Sequence, residues 1–116
     1  MEMKVVFHVD WDHTDSLLMA IGNMENLLKA LSDTQAEIYL VANGSAVKLF
    51  RHESASEYAS RIERLAEADV HFLMCNNALN KHGIKHEDLL DSCHVVPSGI
   101  MEIIRLQAEG CAYVKP

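Results

Sequence analysis

Short apolar runs alternate along the chain with longer stretches in which apolar residues return every three or four positions. Residues 4–9 (KVVFHV) are β-branched and aromatic and end in a polar cluster, the pattern of a strand buried on both faces. Leu17, Ile21, Met24, Leu28 and Leu31 then follow helical spacing, Leu18 and Leu27 widen the stripe, and Thr14 or Asp12 is placed to cap the first turn. Residues 37–42 (EIYLVA) predict a second strand closed by the Asn43-Gly44 pair, with a short helical stretch around 47–50. Ser54-Ala55-Ser56-Glu57 has the capping-box pattern, and Tyr58, Ile62 and Leu65 continue one apolar face. Glu57 and Arg61 stand four apart in the order that favours an ion pair. Residues 70–75 (VHFLMC) predict a third strand, 77–82 a short helix ended by Gly83, and 87–90 a further turn. A brief fourth strand over 93–96 leads to Pro97-Ser98-Gly99, which opens a helix through Ile100, Ile103, Ile104 and Ala108 that Gly110 stops. Residues 111–115 (CAYVK) predict a fifth strand.

Five strands alternating with helices imply a mostly parallel five-stranded sheet with helices on both sides, a three-layer α/β/α arrangement. At 116 residues the whole chain, 1–116, is expected to form a single domain. A hydrophobic fraction of 49% and a charged fraction of 23% exclude disorder and low-complexity scaffolds. No apolar run approaches the ~18 residues of a membrane span, and the N-terminus has no signal-type region. The formal charge of −7 argues against DNA or an anionic membrane as partner, since both demand phosphate neutralisation.

Seven His and three Cys are the unusual entries in this composition. Cys75, Cys93 and Cys111 are odd in number and widely spaced, fitting neither a disulfide framework nor a zinc knuckle. Reduced thiols in a cytoplasmic protein are the simplest reading. Cys93 and Cys111 both open strands, whereas Cys75 closes one.

That difference matters because open α/β sheets bind ligands just outside the carboxyl ends of their strands. Those ends carry Asp10, Trp11, Asp12 and His13 after the first strand, and Asn43 and Gly44 after the second. Cys75, Asn76 and Asn77 follow at the third, and Pro97, Ser98 and Gly99 at the fourth. Cys75 lies where a strand hands over to a helix, so free N–H groups face its sulfur and favour a sulfur anion. Lys81, His82, Lys85 and His86 add local positive charge. The alternative is a solvated loop with Cys75 as the last core residue of its strand, and the residues alone leave both open. Asp10, Asp12, His13 and His8 have the donor types of a divalent-metal site but match no strong motif, so no metal is assigned. Gly83 between His82 and His86 argues against a shared helical face. Ser98-Gly99 is an anion-binding candidate or an ordinary helix cap. No base adjacent to Cys75 is legible, which argues against a thiol hydrolase, and nothing calls for a cofactor.

The order of elements, with Cys75-Asn76-Asn77-Ala78-Leu79, Gly83-Ile84 and Val95-Val96-Pro97-Ser98-Gly99, resembles the DsrE/DsrF-like (YchN-like) family. The closing run from Glu102 to Gly110 and on into Ala112-Tyr113-Val114-Lys115-Pro116 is similar to its small stand-alone prokaryotic branch. The resemblance implies a cytoplasmic sulfur-handling protein. Relay members carry sulfane sulfur as a persulfide on a cysteine at the end of the third strand, receive it from a donor protein and pass it to an acceptor. Cys75 stands at that position, and Asn76, Asn77, Ser98 and Gly99 are expected to line the site with Asn43, Gly44, Asp10 and His13. Relay members also follow this cysteine with an alanine-rich turn and two arginines, for which the chain has Asn76-Asn77-Ala78-Leu79-Asn80-Lys81-His82. The resemblance further implies a homo-oligomer, a trimer or hexamer. The other reading of the same edge is a small-anion or nucleotide binding or assembly module in which the cysteine is incidental.

Overall fold

A computed structural model describes residues 2–31 and 35–116. Five parallel strands, β1 (Met3–Val9), β2 (Ala36–Ala42), β3 (His71–Cys75), β4 (Cys93–Val96) and β5 (Ala112–Val114), lie in the order β4-β3-β2-β1-β5. Four α-helices cover them: α1 (Thr14–Ala30), α2 (Ala59–Glu67), α3 (Asn76–Lys81) and α4 (Gly99–Ala108), with 3-10 turns at Gly44–Phe50 and His86–Asp88. No described helix is long and apolar enough to cross a membrane.

The alternation of side chains along each strand sorts the core into two layers. Val5, Phe7, Ile38, Leu40, Phe72 and Met74 face α1, α2 and α3 and meet Leu17, Ile21, Met24, Ile62 and Leu79. The Phe50 and Phe72 rings, with centroids 6.3 Å apart, anchor this side. The opposite layer holds Val6, Val41 and Leu73 against Ile103 and Leu106 of α4, with Cys111 at its margin. Helices therefore lie on both faces as expected, but three on one and one on the other.

Local contacts depart from the sequence expectations in three places. The first turn of α1 has His13 at its N-cap position and no side-chain cap. Asp12 is committed elsewhere, its N–H donating to Ser45 Oγ at 2.9 Å and its carboxylate accepting from the Ser45 hydroxyl. The capping-box pattern at 54–57 starts no helix. The Tyr58 hydroxyl donates to the Leu49 carbonyl at 2.5 Å, the segment before it stays in turns, and α2 begins at Ala59. Arg61 pairs not with Glu57 but in bidentate fashion with Glu25 of α1, at 3.0 and 2.6 Å, because a planar fork gains more from two parallel bonds than from a single exposed neighbour.

Candidate functional site

The chain crosses from β1 to β2 to β3 to β4 in one direction, each time over the same face. From β4 it returns beneath the sheet through α4 to β5, on the far side of β1. Neighbouring strands β3 and β4 thus hand over to opposite faces, the topology at whose carboxyl ends open α/β sheets bind ligands. Cys75, the N-cap residue of α3, and Ser98, the N-cap residue of α4, stand at those two strand ends. Ser98 Oγ accepts from the Met101 N–H at 3.3 Å and fixes the first turn of α4. α3 has no such side-chain cap.

Gly99 explains how the two ends come together. A Cβ on it would lie 3.1 Å from Cβ of both Asn43 and Cys75, tighter than side-chain carbons normally approach. Only glycine lets the first turn of α4 settle on the ends of β2 and β3. Gly44 does the same for β1 and β2: it has a φ of 56°, and a Cβ there would meet the Asp10 carbonyl oxygen at 2.5 Å. Beneath Gly99, Cys75 is 6% exposed.

The remaining predicted residues divide into two groups. Asn43 joins Cys75 and Gly99, because Ala42 pairs with Met74 and the next residues lie side by side. Asn43 Oδ1 also lies 2.8 Å from His8 Nε2, and His8 Nδ1 lies 2.6 Å from the Tyr113 hydroxyl. Asn76 binds His86 through Oδ1 at 3.1 Å, and Asn77 is exposed. Asp10 and His13 follow β1, which β2 separates from β3 and Cys75. Asp10 pairs with Lys115, and although burial opposes its ionisation, that bond and charge, helped by His8, hold its carboxyl below the ordinary value. His13 stacks on the exposed Trp11 with centroids 6.5 Å apart. A cavity of about 220 Å³ lies here, lined by His8, Asp10, Trp11, His13, Ser16 and Lys115. Among the described residues no group of three or more His, Cys, Asp or Glu side chains is arranged to hold a metal. Tyr113 had no signal in the sequence beyond its place in the fifth strand.

The other two thiols lie outside the site. Burial pushes the Cys93 thiol up to about 12, and burial with the Glu37 charge raises that of Cys111, so both stay protonated near neutrality.

The DsrE/DsrF-like family model matches residues 13–116. The chain belongs to this family. Among solved structures, this DsrE/DsrF-like chain is similar to MTH1491 from Methanobacterium thermoautotrophicum, a protein of unknown function. The two share 37% identity with a TM-score of 0.89, over 98% of this chain and 99% of that one. It has the same fold as the YchN protein of E. coli, with a TM-score of 0.78 at 15% identity over the full length of both. Comparison with curated proteins finds no match.

Proposed function

We propose that this DsrE/DsrF-like protein is a cytoplasmic carrier of sulfane sulfur with Cys75 as its persulfide-bearing thiol, a relay participant rather than a turnover enzyme. The observation that carries the reading is the place of Cys75. It is the thiol at the carboxyl end of β3, at the start of α3 and beneath the first turn of α4. In the transfer, the Cys75 thiolate attacks the terminal sulfur of a donor persulfide. The new S–S bond forms on Cys75, the bond to the donor sulfur breaks, and the donor leaves as a thiolate, with no net oxidation. The reverse sequence delivers the sulfur to an acceptor. A thiol only 6% exposed admits a narrow group such as a cysteine persulfide. Lys81, Lys85, His82 and His86, in the segment after Cys75, suit an acidic rim on the donor or acceptor.

We further propose that the chain works as a homo-oligomer, a trimer or hexamer. Ile100, Met101 and Ile104 are 51%, 71% and 62% exposed on the outer side of α4, an apolar stripe that a second copy would remove from water.

Intact mass after incubation with polysulfide, with and without reductant, tests the carrier. The expected outcome is a reducible gain of one sulfur that disappears in Cys75→Ser. No gain, or a gain that survives the substitution, rejects it in favour of the anion- or nucleotide-binding module, for which Cys75→Ala leaves affinity unchanged. Light scattering on the eluting chain tests the assembly. The native protein is expected at three or six copies and Ile104→Glu at one, and a native monomer overturns the oligomer.

A further inference from the structure

We propose that the cavity at the carboxyl end of β1 binds a guanine base, with Trp11 as its stacking wall and the Asp10–Lys115 pair reading its edge. The site is separate from the thiol and does not depend on the carrier reading, since Asp10 follows β1, Cys75 closes β3 and β2 lies between them. The cavity, about 220 Å³, is enclosed by the loop after β1, Ser16 in the first turn of α1 and Lys115 after β5. Pockets for drug-sized ligands run to roughly 300–1,000 Å³, so this one suits a single flat base rather than a whole nucleotide. Trp11 is 62% exposed, and its ring lies 22° from parallel to that of His13, with centroids 6.5 Å apart. Both rings line the cavity, and exposed aromatic walls of this kind stack bases.

Stacking accepts any base, so the choice falls to the polar groups. His8 lines the cavity, but both its ring nitrogens are engaged, by Tyr113 at 2.6 Å and by Asn43 at 2.8 Å. Asp10 and Lys115 are joined through Oδ2 and Nζ, which leaves lone pairs on the carboxylate and two further protons on the ammonium. Their side chains are 32% and 45% exposed, within reach of a ligand. Burial opposes ionisation of Asp10, but the bond and charge of Lys115 hold its carboxyl below the ordinary value, so near neutrality it only accepts. The pair thus sets carboxylate acceptors beside an ammonium donor. Guanine carries the complement, with N1–H and N2–H2 donors beside the O6 acceptor, and it can bind without breaking the ion pair. Adenine turns a bare nitrogen toward the carboxylate, and uracil has one donor between two acceptors. Asp12 and Asp15, in the same loop and first turn, repel phosphate, which points to the nucleoside rather than a nucleotide or a nucleic-acid strand.

Trp11 is the single tryptophan of the chain, so its fluorescence reports on this cavity. The full chain is titrated with guanosine, adenosine, uridine and guanosine 5′-monophosphate, with the heat of binding as a second readout. The expected outcome is saturable quenching by guanosine, at least about tenfold tighter than adenosine or uridine, with the monophosphate weaker than the nucleoside. Asp10→Asn, whose amide turns a donor toward the donors of the base, is expected to weaken guanosine about tenfold or more, and Lys115→Met about threefold or more. Trp11→Phe keeps an aromatic face and is expected to keep the preference for guanosine in the heat of binding. Should Asp10→Asn fail to fold, the base preference of the native chain and the Lys115→Met affinity decide. Absence of saturable guanosine binding overturns the proposal. So does equal binding of guanosine and adenosine, or an Asp10→Asn chain that binds like the native one, since either means unselective stacking on an open indole. A monophosphate held more tightly than the nucleoside makes the cavity an anion site and overturns it too.

Discussion

The two faces of the sheet are built to different standards. On one, α1, α2 and α3 close over a dry layer in which Leu17, Ile21, Met24, Phe50, Phe72 and Leu79 are fully buried. On the other, α4 works alone, with Ile103 and Leu106 against Val6, Val41 and Leu73. A helix is about 10–12 Å wide, whereas five strands spaced about 4.8 Å apart span nearly twice that. One helix therefore leaves uncovered strips on either side. Tyr113 is half-open at one margin and His94 is exposed at the other, while α4 turns Ile100, Met101 and Ile104 outward. The crowded face supplies cohesion. The thin face holds the buried imidazole and leaves the outer apolar side of α4 exposed.

The sharpest way to break this contrast is to truncate each layer. Phe72→Ala should cost about 3–5 kcal/mol, the range for emptying a closed aromatic site. Ile103→Ala should cost nearer 2 kcal/mol, because a lone helix can settle into the space. Urea unfolding measures both, and equal losses would mean that the thin face is no less a core than the other.

Glycines give a second test with opposite signs. Gly99→Ala forces a methyl to 3.1 Å from Asn43 and Cys75, and is expected to destabilise by about 1–3 kcal/mol and to displace the first turn of α4. Gly22→Ala, within α1 and with nothing within 4 Å of the new carbon, is expected to stabilise by about 0.5–1 kcal/mol. A neutral Gly99→Ala in thermal melts would contradict the close seat of α4 on the strand ends.

The smallest effect concerns charge on the crowded face. The Arg61 hydrogen bond, against the pull of burial and with help from the charges of Arg61, Arg64 and Lys29, holds the Glu25 carboxyl below its ordinary value. A carboxyl lowered on folding contributes stability above its unfolded value near 4.5, and that contribution is lost as pH falls through the lowered one. With both side chains about one-third exposed, Arg61→Ala should cost about 0.5–1 kcal/mol at pH 7 and almost nothing near pH 3. An unchanged penalty at pH 3 would show that Arg61 acts through packing rather than through charge.

Local signals were legible wherever the causes were local. The Ser98 cap, the strand-to-helix handover at Cys75 and the stops at Gly83 and Gly110 depend on neighbouring residues, and each is in the structure. The box at 54–57 misled: that segment stays in turns, with the Tyr58 hydroxyl bonded to the Leu49 carbonyl nine residues back. Asp10 and His13 follow β1 and Cys75 closes β3, with β2 between them, so the shared sheet edge has width as well as height.

From the sequence by itself came the alternation of strands and helices and the place of Cys75 at the carboxyl end of the third strand. Both follow from periodicity and turn chemistry acting over a few residues. Tertiary structure alone decided the order β4-β3-β2-β1-β5, the solitary helix beneath the sheet and the meeting of His8 with Tyr113, 105 residues further along the chain. Strand order and cross-chain partners are set by which surfaces bury one another, a choice made among elements that look alike when each is read alone.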